Sequence, residues 1–208
     1  IQNGLGAGDI ILRHMPENNI ILGVAEGFGA SLQKPGHVTH TANKKIRLGS
    51  ISKISSEKEL QNIVDAWRSG GLKTEIYKNI EQLIWEKLLC NVTLSGPCSI
   101  FGCNVNELFN NQEYWNFALN CMQEAYSVGL SIGVPFSFKD PVAYVSDFAK
   151  RVGSAKPSML QDYENKKKTE IDFINGAIPP LGAKSKIPTP FNDHVCRIIR
   201  EAEREIKS

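Results

Sequence analysis

The sequence of 208 residues lacks a long apolar run, since no stretch approaches the ~18 residues that a helix needs to cross a bilayer. An excess of one charge is also missing, because 24 Lys and Arg face 22 Asp and Glu, for a formal net charge of +2. This balance gives no case for a protein that binds nucleic acid or a membrane surface. Five cysteines without C-x-x-C spacing predict reduced thiols and a cytoplasmic protein.

The sequence also lacks the residue patterns of two kinds of binding site, a phosphate loop and a metal site. A phosphate-binding loop of the form G-x-G-x-x-G is absent, because Gly4-Leu5-Gly6 follows no strand and position 9 is Asp rather than Gly. His37 and His40 are three apart in a predicted strand and would face opposite sides, and His14 and His194 are far apart in the chain. We therefore predict no metal site.

The first 78 residues are rich in glycine and β-branched residues, and short apolar runs alternate there with turn residues. The pattern predicts a hairpin whose turn is Asn43-Lys44-Lys45, and a helix that ends at Gly70-Gly71. In chain order the predicted strands are 19–24, 37–41, 46–51 and 72–77. We expect this half to be the end of an α/β domain.

From residue 79 the strand pattern disappears and helical periodicity takes over. Asn79 and Gln82 resemble a capping box that opens a helix ending near Leu94. The further predicted helices cover about 112–132, 141–152, 158–176 and 192–206. The predicted domains are therefore 1–78 and 79–208.

The predicted helix from Ile80 is apolar almost all round and should be buried, yet Lys87, Asn91 and Ser95 lie four apart on one side of it. Burying an ammonium group in apolar surroundings costs on the order of several kcal/mol, unless the group is paired or reaches water. Two interpretations remain open here. Lys87 extends to the surface while Asn91 binds a neighbouring loop, or the three residues line a ligand cleft.

Glu170 and Ser158 present similar alternatives. On the predicted helix 158–176, Glu170 falls within the apolar stripe, where it pairs with Lys166 or Lys167 or faces a site. Ser158 and Gln161 match a capping box, and a helix N-terminus also offers free N–H groups to a carboxylate ligand.

Several segments, taken in order, resemble the ketopantoate reductase (2-dehydropantoate 2-reductase) family. They are Gln2-Asn3-Gly4-Leu5-Gly6, Phe28-Gly29-Ala30 with Pro35-Gly36, Trp85 to Asn91, Ser158 to Asp162, Thr169 to Gly176, and Pro188-Thr189-Pro190. The resemblance implies an α+β chain: the C-terminal end of a Rossmann-like α/β domain, followed by an all-helical domain like the C-terminal domain of 6-phosphogluconate dehydrogenase. It also implies NADPH-dependent reduction of ketopantoate to pantoate.

The resemblance also implies a role for each unusual polar position. Lys87 matches the general acid, Asn91 and Ser158 match groups that hold the 2-keto acid, and Asn3 matches an asparagine between substrate and cofactor. Glu170 matches the acidic residue near the nicotinamide ribose, and Ala30 matches a backbone contact to the cofactor.

Two departures from the family pattern change what we expect. Ser95 stands where many members have Asn, which affects the grip on the substrate hydroxyl and leaves another 2-keto acid open as substrate. The missing phosphate loop suggests the C-terminal two-thirds of the enzyme, with poor NADPH binding and negligible activity. A non-catalytic helical module, dimerising through the helix that carries Tyr114, is the alternative of a different class, and a homodimer through the helical domain is compatible with both.

Overall fold

The computed structural model describes residues 1–16, 20–51 and 57–205, apart from the side chains of residues 41, 43 and 44. Its strands are β1 (Ile21–Lys34), β2 (His37–Ser50) and β3 (Thr74–Ile76). Its α-helices are α1 (Ala7–Leu12), α2 (Glu57–Ser69), α3 (Ile80–Phe101), α4 (Val105–Asn110), α5 (Gln112–Ser131), α6 (Pro141–Val152), α7 (Ser158–Glu164), α8 (Ile178–Ser185) and α9 (Pro190–Glu205).

The chain forms two compact units. The strand unit contains Ile1–Gln2 and the chain from Gly6 to Ile84, and the helical unit contains Asn3–Leu5 and the chain from Trp85 onward. This α+β organisation confirms the predicted fold class. In the described part of the chain, no helix is both long and apolar enough to cross a membrane.

The strand unit holds a mixed sheet in the order β1-β2-β3, in which β1 and β2 are antiparallel and β2 and β3 are parallel. The turn between β1 and β2 is Pro35-Gly36, where Gly36 has φ +79°. Proline followed by a glycine with positive φ suits a type II turn. The predicted turn at residues 43–45 was wrong, because Asn43 and Lys45 pair with β1 inside one continuous strand. Polar residues are tolerated there since the neighbouring part of the hairpin is exposed.

Helices cover both faces of the inner half of this sheet. On one face Leu22 and Val24 pack with Ile80 and Leu83 from the start of α3. On the other face the apolar side chains of β2 pack against α2; this cluster contains Ile46, Leu48, Leu60 and Val64. A sheet with helices on both faces is the layering of α/β domains.

The helical unit is built around α3, whose side chains are buried on almost every side between Trp85 and Cys98. Helix α5 contributes a stripe at helical spacing, namely Ala118, Cys121, Met122, Ala125 and Val128. The predictions of α5, α6 and α9 are confirmed to within two residues at each end. Helix α3 starts as predicted, with the Asn79 side chain accepting from the Gln82 N–H, but it extends to Phe101 rather than about Leu94.

Pro97 lies inside α3 and removes one backbone donor from the helix. Beside it, the Asn175 carboxamide donates to the Val92 carbonyl at 3.1 Å and to Asn192 Oδ1 at 3.0 Å. Asn192 in turn donates to Glu124 on α5 at 2.7 Å. This buried amide pair therefore ties α3 to α5 and α9.

The predicted helix over 158–176 was wrong. Helix α7 ends at Glu164, and Lys166 adopts a left-handed conformation with φ +52°. The Lys167 N–H then bonds the Asp162 carbonyl at 2.8 Å. This six-to-one bond is typical of a Schellman C-cap, which normally has glycine in the left-handed position. A lysine at this position does not indicate the end of a helix, so the apolar spacing alone predicted a helix that continues to residue 176.

All five cysteines are free and buried. Burial raises the pKa of Cys90 to about 12, and it raises that of Cys196 to about 12 as well. The thiolate is the reactive form of cysteine, so these thiols should be inert in the folded chain.

A thiol titration with an aromatic disulfide reagent tests this expectation. At pH 8 the native chain should react far more slowly than glutathione, because few of its thiols are ionised or accessible. In guanidinium chloride all five cysteines should react at the rate of the free thiol. Rapid labelling of one or more thiols in the native chain would contradict the buried arrangement.

Candidate active site

Helix α3 carries the three polar positions that the sequence singled out. Lys87 and Asn91 are half-buried, and Ser95 is only 6 % exposed. Because they are four residues apart in a continuous helix, their side chains leave α3 on one side. The structure therefore places an amine, an amide and a hydroxyl along one edge of the buried helix.

A second part of the candidate site joins residues from distant positions in the chain. Asn3 Nδ2 donates to Glu170 Oε2 at 3.1 Å, and both side chains are half-buried in the helical unit. The Leu5 N–H donates to the Phe173 carbonyl at 2.8 Å. The segment Asn3–Leu5 is thus docked on the 3-10 turn Ile171–Phe173 that follows Glu170.

Gly4 makes this docking possible. Its φ is +75°, and a Cβ atom at this position would collide with the carbonyl group of Phe173. The sequence offered no sign of the contact, because the partners are about 170 residues apart. The expected pairing of Glu170 with Lys166 or Lys167 has no geometric basis, since α7 ends before all three residues.

Replacing Gly4 with Ala should release the N-terminal segment from the helical unit. The left-handed conformation alone costs a side chain about 1–2 kcal/mol, and the collision with Phe173 adds to this. Gly133→Ala is a matched control, because Gly133 has φ +83° with no atom within 4 Å of the added Cβ. In urea titrations, Gly4→Ala should lower the free energy of unfolding by more than the control does; equal losses would contradict the docking.

Ser158 is exposed at the start of α7. The predicted capping box was wrong: the N-cap residue is Pro157, without a side-chain cap bond, and the Gln161 amide donates to the Lys156 carbonyl at 2.9 Å. Capping therefore does not account for a serine at this position. Its hydroxyl suits a contact to a ligand.

Ala30 belongs to the strand unit, on the exposed outer half of β1. The register with β2 shifts between Gly29 and Ala30, and Ala30 pairs with His40. A bulge of this kind leaves backbone groups outside the regular ladder. Ala30 could offer such a group to a ligand.

The described carboxyl groups with shifted pKa values make structural contacts. Burial raises the pKa of Glu124, which accepts the backbone N–H groups of Phe191 and Asn192 at the start of α9. In the strand unit, the hydrogen bond from Lys45 lowers the pKa of Glu75. In the described ranges, no group of three or more His, Cys, Asp or Glu is arranged to hold a metal ion.

The helical unit also contains polar anchors that the sequence analysis missed. Thr169 and Asp172, on either side of Glu170, contact Glu203 and Arg200 on α9. Partners 28 and 34 residues apart leave no local periodicity to read.

Taken together, the helical unit supplies an amine, two amides and two hydroxyls as donors, and one half-buried carboxylate. Such donors suit the carbonyl and carboxylate oxygens of a small acid. A carboxylate suits hydroxyl groups, for which it is an acceptor.

Two family profiles cover most of the chain. The C-terminal domain of ketopantoate reductase PanE/ApbA matches residues 79–203, and ketopantoate reductase PanE/ApbA matches residues 1–53. The chain belongs to the ketopantoate reductase family. The C-terminal match begins beside the predicted domain boundary at residue 78, whereas the compact units divide between Ile84 and Trp85. That boundary stays a prediction.

Proteins named 2-dehydropantoate 2-reductase are similar over almost the whole chain. The one from Streptococcus pyogenes serotype M3 is 32% identical over 200 residues, covering 96% of this chain and 63% of its own length. The one from Archaeoglobus fulgidus is 28% identical over 204 residues, covering 98% of this chain and 67% of its own. This chain thus spans about 63% of the length of the Streptococcus relative.

Solved structures show the same fold. D-mandelate dehydrogenase with NADH and anilino(oxo)acetate matches with a TM-score of 0.88 and 27% identity, over 99% of this chain and 67% of its own. The 2-dehydropantoate 2-reductase from Geobacter metallireducens matches with a TM-score of 0.87 and 24% identity, over 97% of this chain and 67% of its own. These matches confirm the predicted fold.

Proposed function

We propose that this chain provides the substrate-binding and proton-donating part of an NADPH-dependent 2-dehydropantoate 2-reductase, which converts ketopantoate to pantoate for pantothenate and coenzyme A synthesis. The observation that carries the proposal is the row of Lys87, Asn91 and Ser95 along one side of α3, within the segment that matches the family's C-terminal domain. A cytoplasmic location accords with the five free thiols.

In the proposed reaction, Lys87 acts as the general acid. The nicotinamide, when bound, supplies a hydride to the carbonyl carbon of the 2-keto acid. Charge then develops on the carbonyl oxygen, and the Lys87 ammonium stabilises it and donates a proton to that oxygen. The half-buried position of Lys87 strengthens this effect, because a partly dry surrounding screens charge less than water does.

The remaining candidates would orient the substrate. Asn91 and Ser95 follow Lys87 along α3 and offer hydrogen bonds to the substrate hydroxyl, while the Ser158 hydroxyl suits the carboxylate. Asn3, held by Glu170, would lie between substrate and cofactor. These assignments follow the family resemblance and agree with the donor types present.

For the cofactor, the chain fits the nicotinamide end better than the phosphate end. The Glu170 carboxylate is a suitable acceptor for ribose hydroxyls, and the Ala30 backbone offers a further contact. The sequence contains no G-x-G-x-x-G loop to hold the phosphates. A loop of that kind would have to come from outside these 208 residues.

The 208-residue chain should therefore bind NADPH weakly. In a titration followed by nicotinamide fluorescence, we expect no saturation in the micromolar range, because the phosphate groups lack their usual cradle. The Streptococcus pyogenes relative is the control for intact binding. Micromolar affinity of the 208-residue chain would show that its phosphates are held in another way.

Lys87→Ala tests the general acid. In an active fusion of this chain to the phosphate-binding region of a relative, kcat should fall by ~100-fold or more, since general acid catalysis typically contributes at least that much. The exposed Lys184→Ala is the matched control and should leave kcat unchanged. An unchanged kcat in Lys87→Ala would make Lys87 a structural residue and remove the central element of the proposal.

A second candidate is the reduction of a different 2-keto acid by the same chemistry. The similarity to D-mandelate dehydrogenase, solved with anilino(oxo)acetate, favours it. So does Ser95, which is shorter than the asparagine of many family members and therefore changes the contact to the substrate hydroxyl. Turnover of ketopantoate and phenylglyoxylate by the same fusion, with NADPH and NADH, separates the two candidates.

An alternative of a different class is a non-catalytic module that dimerises through α5. Leu130, at the end of α5, and the following Ile132 are exposed apolar side chains, and a structural neighbour from Staphylococcus aureus is described as a dimeric ketopantoate reductase. A homodimer is compatible with the enzyme as well. The module would be favoured only if the chain dimerises and its fusion reduces none of the 2-keto acids tested.

A further inference from the structure

Glu170 lies outside regular secondary structure, between the end of α7 and the 3-10 turn Ile171–Phe173. A carboxylate that binds ribose hydroxyls has to be held to within a few tenths of an ångström, roughly 0.5 Å. Glu170 is the N-cap residue of this turn, and its carbonyl accepts the N–H groups of Phe173 and Ile174 at 3.0 and 3.2 Å. These bonds fix the start of the turn, and side-chain contacts to α9 hold the backbone on each side of Glu170.

On the N-terminal side, the anchor is Thr169. Its N–H and its hydroxyl both donate to Glu203 Oε1 on α9, each at 2.7 Å. The same hydroxyl oxygen accepts the Ile171 N–H at 3.2 Å. Thr169 is only 7 % exposed, so one carboxylate oxygen of Glu203 fixes the residues before and after Glu170 through a single threonine.

On the C-terminal side, Arg200 contacts Asp172. Its Nε donates at 2.8 Å and an Nη atom lies 2.7 Å away, both to Asp172 Oδ1. Arg200 and Glu203 are three residues apart on α9 and so lie on one side of it. The Arg200–Asp172 pair is 47 % exposed on both partners, and exposed ion pairs contribute little. The buried Thr169 contact is the stronger anchor.

We infer that Glu203 is a positioning residue for the candidate site, acting through Thr169 to set the place of Glu170 and of its hydrogen-bond partner Asn3. The inference rests on the proposed function, in which Glu170 faces the nicotinamide ribose. Glu203 itself touches neither substrate nor cofactor in this scheme. It is an acceptor that fixes a short irregular segment, and this requires its oxygen rather than its charge.

The experiment follows the side-chain amide of Asn3 in ¹⁵N spectra of the 208-residue chain. That amide donates to Glu170, so its resonances report the position of the carboxylate. Glu170→Gln shows how far the Asn3 resonances move when their acceptor is changed directly. Glu203→Ala should shift the Asn3 amide resonances, whereas Glu203→Gln should keep them in place, because glutamine retains the acceptor oxygen. Glu201→Ala is the matched control, since Glu201 is exposed on the same helix and pairs with Arg197.

If Glu203→Ala fails to fold, the Thr169 side of the contact gives the same test. Thr169→Val removes the hydroxyl and should shift the Asn3 resonances, and Thr169→Ser keeps the hydroxyl and should not. The inference is overturned if either disruptive variant folds with the Asn3 resonances unmoved, or if Glu203→Gln moves them as far as Glu203→Ala. Since the readout needs no turnover, this failure is separate from a failure of the Lys87 test.

Discussion

The burial of α3 is the constraint on which the helical unit depends. A helix that is enclosed on nearly every side must give each of its polar groups a partner or an opening to solvent, because an unpaired buried polar group costs about 1–3 kcal/mol. Pro97 adds to this demand, since it removes a donor from the middle of the helix. The donor that Pro97 lacks would have bonded the Thr93 carbonyl, four residues earlier. The Asn175 amide binds the carbonyl just before that one, at Val92, next to Asn91. This contact from outside the helix therefore lies beside its polar edge.

The close fit around Asn175 has its own cost. Asn175 Oδ1 is buried and has no hydrogen-bond partner among the described residues. It lies against Gly96, where a Cβ atom would come within 2.5 Å of it. The carboxamide thus gains two donor contacts while its acceptor faces the bare backbone of α3. Glycine before Pro97 allows this approach, so the fold gives up one hydrogen bond to bring α3 close to the rest of the unit.

The parts predicted from the sequence are those governed by local periodicity. The apolar pattern identified α3, α5, α6 and α9, and the spacing of Lys87, Asn91 and Ser95 placed them on one side of α3. The errors arose where a helix ends without the residue that usually ends one, or where a hydrogen-bond partner is far away in the sequence. Lys166 takes a position that glycine normally fills, and the partners of Glu170 and Thr169 are brought near only by the fold.

Contacts that are local in the sequence and contacts between remote residues also have separate roles within the proposed site. Along α3, eight residues at 1.5 Å each put about 12 Å between Lys87 and Ser95, so a small 2-keto acid can meet them only with different ends. The Lys87 end would carry the chemistry that all such acids share, and the Ser95 end would meet the group by which they differ. A change at Ser95 can therefore alter substrate choice without disturbing proton donation. Because Glu170 is held by Asn3 and, through Thr169, by α9 rather than by α3, the contacts proposed for the cofactor can remain constant while the substrate changes.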